Sequence, residues 1–526
     1  METQTVMQQS EQGTPLQSLL ATAVAERPNE LAIRSQERSV TYAQLDRLVG
    51  QVAAGMLALE VETGDRVAWL LPNSLEAVLV TLACYRIGAV AVPLNYRYVS
   101  DDVLEICERV DSSLIVFQGD RLHLVKSLLA ARPSMPAIAV GLDSFEAPKG
   151  VKTFESLLAA GEMTTAATVA ETDPALILFT SGSTGHPKGV THSHASAFLS
   201  IDTSRKVFDF TANDVVLVGK PISHAGGLQT QLFPALTVGA RVILDMRPEP
   251  ADAVRTIVTE GVTEYGLLAS DLLDFIEYLE ANPTELPTLT NCIGSGDAVP
   301  ADLHHRFRDL FGWEVMEGAG MTEIAGYYAM NPRFGQRKWG SLGLPTPGTE
   351  IRVVRADGED CDVGETGEIL LRTPAPILGY WNDETATAEL FRGGWLHTGD
   401  LGRLDDDGYV WFVGRKKLII VRRGSNIAPP EVENVLDEYP LVHATVVVGL
   451  KDPRDGQVPV ACVALLHEQD ETTEVQLRAY ASEHLAQYKN PVHYLYVDEL
   501  PRTSTGKYDR HAVQEIVAER FAGVTN

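Results

Sequence analysis

Positive charge is scarce in this chain: 43 Lys and Arg stand against 71 Asp and Glu, a formal net charge of −28 over 526 residues. A surface of that sign repels polyphosphate backbones and anionic lipid, which argues against a nucleic-acid partner. It also requires local cations to hold any anionic substrate. Cysteine is scarce too. Cys84, Cys107, Cys292, Cys361 and Cys462 are scattered, odd in number and form no CxxC pair, which reads as buried reduced thiols in a cytoplasmic protein. Long apolar runs are missing. None reaches the roughly 18 residues of a spanning helix, and the richest, "AVLVTLACY", is bounded by Glu76 and Arg86 and reads as a buried helix. The opening "METQTVMQQSEQGTP" has no apolar core, so neither a secretory signal nor a membrane span is expected. No internal repeat or long low-complexity segment stands out.

What is present is an ordinary globular mixture, 45% hydrophobic and 22% charged, in a chain too long for one core. Thr41 is placed as an N-cap, followed by Leu45, Leu48, Val52, Met56 and Leu59 on one helical face. "DRVAWLL" reads as a strand, "LEAVLVTLACYRIG" as a helix and "AVAVPL" as the next strand, with "DVVLVG" and "ARVILD" in a similar rhythm. Strand, helix, strand with short connections predicts βαβ units and a parallel sheet. Near residue 415 the character changes: "GRKKLIIVRRGSN" is rich in cations, and the segments beyond it read as a compact α+β unit. The expected fold is α/β, with an N-terminal domain over 1–415 and a smaller mobile C-terminal domain over 416–526.

"LFTSGSTGHPKGV" turns an apolar strand through glycines into a cluster of hydroxyls and Lys188. Glycines expose backbone N–H groups, and Thr180, Ser181, Ser183 and Thr184 add donors, a set suited to phosphate oxygens. A plain Ser/Gly surface loop has the same composition. The spacing excludes a Walker P-loop, because Pro187 precedes Lys188 and Gly189 follows it.

Eight segments in order decide between these readings: "TSGSTGHPKG", "PISHAGGL", "GSGDAVP", "EGAGMTE", "GEILLRTPAPILGYW", "WLHTGD", "GRKKLIIVRRGSNIAPPEVE" and "PRTSTGK". Together they resemble the adenylate-forming superfamily, and within it the acyl-CoA synthetases. The resemblance implies ATP, magnesium and coenzyme A, a small carboxylic acid substrate, and a two-step reaction through an acyl-adenylate, as in fatty acid metabolism. A homodimer is compatible with it. An acyl-adenylating enzyme that hands the acyl group to a carrier-protein thiol is the alternative. A nucleotide sensor without catalysis is a third reading, disfavoured because Glu323 and Lys507 are both kept.

Residue by residue, the resemblance implies that Thr180, Ser181, Gly182, Ser183, Thr184, Gly185 and Lys188 wrap the phosphates. Gly294, Ser295, Gly296 and Asp297, with Glu317, Gly318, Ala319, Gly320 and Met321, would form the adenine and α-phosphate segments. Asp400 and Arg415 would hold the ribose. Thr322 would contact phosphate. Glu323, with Thr184, would hold magnesium, and His224 would line the acyl pocket. Lys507 would neutralise the clash between carboxylate and α-phosphate, worth roughly 4 kcal/mol between unit charges at about 4 Å and an effective dielectric near 20. Lys417 would be the hinge, and Gly424 would line the thiol tunnel. Arg422 and Arg423, where small residues are usual, either meet CoA phosphates or form a solvated basic strip at the hinge. Ala319 stands where the family commonly stacks an aromatic on adenine, so either ATP binds more weakly or Tyr327 or Tyr328 supplies the ring. The pocket segments "SHAGGLQ", "EYGLLASD" and "GAGMTEIAGYY" are small and apolar, with no basic residue clearly placed for a second carboxylate. A neutral monocarboxylic acid, of medium size, bulky or aromatic, is expected.

Overall fold

The computed structural model describes residues 13–521 apart from 37, 142–147, 149, 181–186, 247, 296–298, 300, 375, 424, 453, 467–472 and 504–506. Thr41 caps the helix Tyr42–Leu57 through a reciprocal capping box with Gln44. Leu45, Val52 and Met56 are buried along it, while Leu59 falls just past its end. The helix Leu75–Ile87 is apolar on all sides because it is buried on all sides, and Gly88 ends it in a left-handed conformation.

Among the described residues the strands form four sheets. One is nine-stranded. Its parallel centre runs through Met316–Met321, Asn291–Ser295, Glu264–Leu268, Val215–Val218, Arg241–Leu244 and Leu31–Ser35. A second, eight-stranded sheet has a parallel centre from Pro174–Thr180 through Val90–Pro93, Arg66–Leu70, Leu114–Gln118 and Ala137–Val140 to Val151–Thr153. One core joins the two. Val216, Val218, Ile293 and Met316 from the first sheet and Val67, Trp69, Val116 and Leu178 from the second pack on a shared helical layer. Strand neighbours such as Leu217 and Leu267 point to the other face, into a separate core under the helices Pro250–Glu260, Ala269–Ala281 and Ala301–Phe311. A sheet covered by helices on both faces needs nearly continuous apolar strands, as these are.

The third sheet is antiparallel and includes Gly367–Arg372, Trp395–Leu404 and Val410–Arg415. After Arg415 a single 3₁₀ turn, Lys416–Leu418, leads to Ile420–Arg422, the first strand of the fourth sheet. That sheet pairs Val442–Asp452 with Gly456–Leu465 antiparallel and adds His493–Val497 parallel. It has cores of its own on its two faces.

Candidate active site

The strands on either side of the glycine-rich segment pair with each other. The strand Pro174–Thr180 pairs antiparallel with Lys188–Ser193, setting Thr180 opposite Lys188. Arg109 donates to the Pro187 carbonyl and so ties down the loop's returning end. Lys188 Nζ lies over the Tyr380 ring, 5.1 Å from its centroid. The strand Gly379–Tyr380 pairs with Lys188–Ser193, so both side chains are placed by one sheet edge. Tyr380 then donates its hydroxyl to Glu323 Oε1 at 2.7 Å. Burial and the Glu323 charge push the phenol well above its ordinary value, so it keeps that proton.

Glu323 rides on the 3₁₀ turn Thr322–Ile324, which follows the strand Met316–Met321. The turn is anchored from two sides. His192 Nε2 donates to the Thr322 carbonyl at 2.9 Å, and Ser200 Oγ donates to the Ala325 carbonyl at 2.8 Å. Burial pushes His192 down to about 4, so its ring is neutral at pH 7 and can serve as that donor.

Asp400 and Arg415 are register partners on neighbouring strands, with Arg415 Nε 3.0 Å from Asp400 Oδ1. Burial pushes the Asp400 carboxyl up and Glu323 adds to the rise, while Arg415 and Lys507 oppose it. Lys507 is exposed on a turn closed by Thr503 N–H donating to the Lys507 carbonyl at 2.7 Å. Its charge also reaches His224, which burial first and Lys507 second hold down to about 4. One ammonium therefore acts on groups from two separate segments of the large domain.

Two family models match the chain. An AMP-binding enzyme model covers residues 20–381, and an AMP-binding enzyme C-terminal domain covers 431–507. The chain belongs to the AMP-binding enzyme family. It is similar to an indoleacetate–CoA ligase of Aromatoleum aromaticum, 34% identical over 503 residues that cover 94% of this chain and 96% of that protein. It is also similar to a feruloyl-CoA synthase of an Amycolatopsis species, 34% identical over 91% of this chain and 94% of that one. Among solved structures, an anthranilate CoA ligase in complex with anthranoyl-AMP superposes with a TM-score of 0.90 at 25% identity, over 98% of this chain and 99% of that one.

As an AMP-binding enzyme, the chain gathers Lys188 and Glu323 around Tyr380 and sets Asp400 across from Arg415, while the Lys507 charge bears on both Asp400 and His224. Ser181, Gly182, Ser183, Thr184, Gly185, Gly296, Asp297 and Gly424 lie outside the described residues. Glu317 differs from expectation. Its carboxylate is buried, with Oε1 accepting from Val299 N–H at 2.9 Å and Oε2 3.1 Å from His304 Nε2. Both its oxygens are taken up by Val299 and His304, so it presents no free carboxylate oxygen to a nucleotide. Gly318 is needed by its own hairpin: a Cβ there would stand 2.6 Å from the Ala329 carbonyl oxygen. Ala319, Gly320 and Met321 belong to the same hairpin, and Gly294 and Ser295 end the neighbouring strand.

Neither tyrosine replaces the ring missing at Ala319. Tyr327 packs edge-on against Phe208 in the core between the two large sheets, and Tyr328 is buried in the core under the third sheet. Arg422 and Arg423 are already engaged: both reach Asp455, at 2.9 and 2.6 Å, and Arg422 also donates to the Tyr488 carbonyl. Lys417 lies in the 3₁₀ turn between the third and fourth sheets.

Tyr380, which meets Glu323, and the buried Lys220 were both missed by sequence reasoning. Tyr380 stood in plain view in "GYW", but its reach to Glu323 depends on an antiparallel edge that no local pattern announces. Lys220 directly precedes "PISHAGGL", where a lysine normally reads as solvent-exposed. Among the described residues no helix is long and apolar enough to cross a membrane, and no group of three acidic, His or Cys side chains is placed to hold a metal.

Proposed function

We infer that the protein is an ATP-dependent carboxylic acid–CoA ligase that makes an acyl-adenylate and then a thioester in one cleft. The observation that carries this reading is the grouping of Lys188 and Glu323 on Tyr380, with Asp400 paired to Arg415; the charge of Lys507 bears on His224 and Asp400 as well. In the first half-reaction a carboxylate oxygen attacks the α-phosphorus of ATP and pyrophosphate leaves. Lys507 offsets the repulsion between the two anions as they meet. Asp400 has two oxygens for the two ribose hydroxyls, and Arg415 orients it. Lys188 supplies local positive charge beside the glycine-rich loop.

Glu323 fits a magnesium site in the way this ion prefers, one or two carboxylates with the rest of the shell from phosphate and water. Tyr380 engages Oε1, and Glu323 would hold the ion, which would supply charge neutralisation at the triphosphate. In the second half-reaction the thiol of CoA attacks the acyl carbon and AMP leaves. The neutral His224 ring lines this path without adding charge. Rotation about the Lys416–Leu418 turn, centred on Lys417, withdraws Lys507 between the steps. The acid is of the aromatic or arylalkanoic kind, in keeping with relatives named for indoleacetate and ferulate.

A panel of aryl, arylalkanoic and fatty acids, assayed for ATP-dependent pyrophosphate release with and without CoA, tests the reading. The expected result is turnover that needs acid and accumulates acyl-CoA only when CoA is present. Full turnover without CoA, or none with any acid, would refute it.

A further inference from the structure

The turn after the strand Val215–Val218 buries a lysine. Lys220 is 2% exposed. Asn73 fixes its backbone: the amide donates to the Val218 and Lys220 carbonyls at 3.2 and 2.9 Å, and Oδ1 accepts from Ile222 N–H at 2.9 Å. The side chain then runs beside Gly226, in the His224 segment. A Cβ on Gly226 would meet only one atom within 4 Å, Lys220 Cδ at 3.9 Å, so the glycine leaves open space directly over the lysine stem. Lys220 Nζ ends 3.4 Å from the Tyr327 hydroxyl, and it pairs with no carboxylate among the described residues. Buried Glu264, raised by its burial to about 7, feels the Lys220 charge but takes its hydrogen bond from Asn291.

The neighbouring helix adds a second observation. Past His224 it widens into a π-helical turn, Leu228–Leu232, a rare element that concentrates at functional sites. Gln231 on that turn is fully buried, its amide lies against Gly266, and neither its oxygen nor its nitrogen has a hydrogen-bond partner among the described residues. Buried polar groups in native proteins are almost always paired, and a buried amine above all. Gln229 on the same turn is buried and unpaired in the same way. The Gln231 amide and a lysine with one long contact, both beside the His224 segment, are donors that a ligand oxygen would satisfy.

We propose that Lys220, Tyr327 and Gln231 form the far end of the acid pocket and select an acid with an oxygen acceptor remote from its reacting carboxyl. This rests on the ligase reading and narrows it. It replaces the expectation of a wholly apolar pocket. The acceptor is a hydroxyl or a second carboxylate, since all three side chains donate hydrogen bonds.

The test pairs each acid with its oxygenated counterpart: cinnamic with para-hydroxycinnamic acid, octanoic with octanedioic acid. Pyrophosphate release gives kcat/KM for each. The expected result is a preference of about tenfold or more for the oxygenated member of at least one pair, the scale of one well-placed charged hydrogen bond. Lys220→Met should lower that preference about tenfold, and Tyr327→Phe should lower it in the same direction by a smaller factor. The hydroxyl pair responding assigns a neutral acceptor; the diacid pair responding assigns an anion. Tyr327→Phe removes one oxygen and keeps the ring on Phe208, so it decides the matter if Lys220→Met does not fold. Equal rates within both pairs in the wild type, or variants that slow both members alike, would overturn the proposal. No release with any acid would instead overturn the ligase reading beneath it.

Discussion

The two banks of the cleft are built on different terms. On the large-domain bank the polar groups are paired before any substrate arrives: Tyr380 with Glu323, Arg415 with Asp400, His192 with the Thr322 carbonyl. Each pair has at least one member on a sheet strand, so the sheets hold the geometry. On the opposite bank Lys507 stands exposed on a short turn, and the whole fourth sheet follows a single 3₁₀ turn from Arg415. On the function proposed above, Lys507 serves one transition state and leaves for the next, which suits a group on a body that moves as a unit. The paired groups would hold nucleotide through both steps and so gain from being preorganised, because reorganising them during reaction would cost the stabilisation they provide.

The sharpest way to break this contrast is Lys507→Ala. It is expected to lower adenylate formation by roughly 10²–10³-fold, the scale for loss of one charge-stabilising donor. Thioester formation from supplied acyl-adenylate should change far less. Equal losses in both half-reactions would show that the two banks do not divide the work. Next in size is Glu323→Gln on the fixed bank. Here the magnesium concentration needed for half-maximal rate should rise about 10–100-fold, as for loss of a ligand's support. An unchanged magnesium dependence would remove Glu323 from that role.

A third variant sharpens what moves. Arg422→Ala combined with Arg423→Ala is expected to raise the CoA Michaelis constant several-fold and leave that of ATP alone. In the present arrangement Asp455 holds both guanidinium groups, so CoA phosphates would have to take them over from it. An unchanged constant for CoA would reduce them to a brace within the fourth sheet.

The smallest effect is on stability. His192 titrates near 4 in the fold against an ordinary 6.5. Its depressed value means the unfolded chain binds the proton first, so the wild type loses stability as pH falls from about 6.5 towards 4. His192→Gln keeps a donor for the Thr322 carbonyl and has no such proton. Its melting temperature relative to wild type should therefore climb over that interval and stay level above pH 7. Parallel curves throughout would show that the ring is not held neutral.

Much of the framework was legible beforehand because its signals are local. Thr41 reads as an N-cap in the sequence and closes a capping box with Gln44 in the fold. "LEAVLVTLACYRIG" had to be a buried helix, since no polar face exists to meet water. The order of the glycine-rich, "MTE", "TGD" and "PRTSTGK" segments pointed to the family that the matches then showed. Glu317 was misjudged because its partners, Val299 and His304, come from a loop and helix upstream that only packing brings back to it. Tyr327 and Tyr328 were misjudged because adjacent residues of a strand face opposite sides, and here each side is a separate core.

The chain by itself determined its elements, its family and the list of residues able to handle phosphate and carboxylate, because spacing, capping and residue chemistry are properties of short stretches. Only the tertiary structure decided which of those residues stand free and which brace a neighbour, that Tyr380 meets Glu323, and that Lys220 is buried beside Gly226. Those outcomes depend on strand pairing and burial between segments far apart in sequence, where the cost of an unpaired polar group is set by surroundings that no local pattern contains.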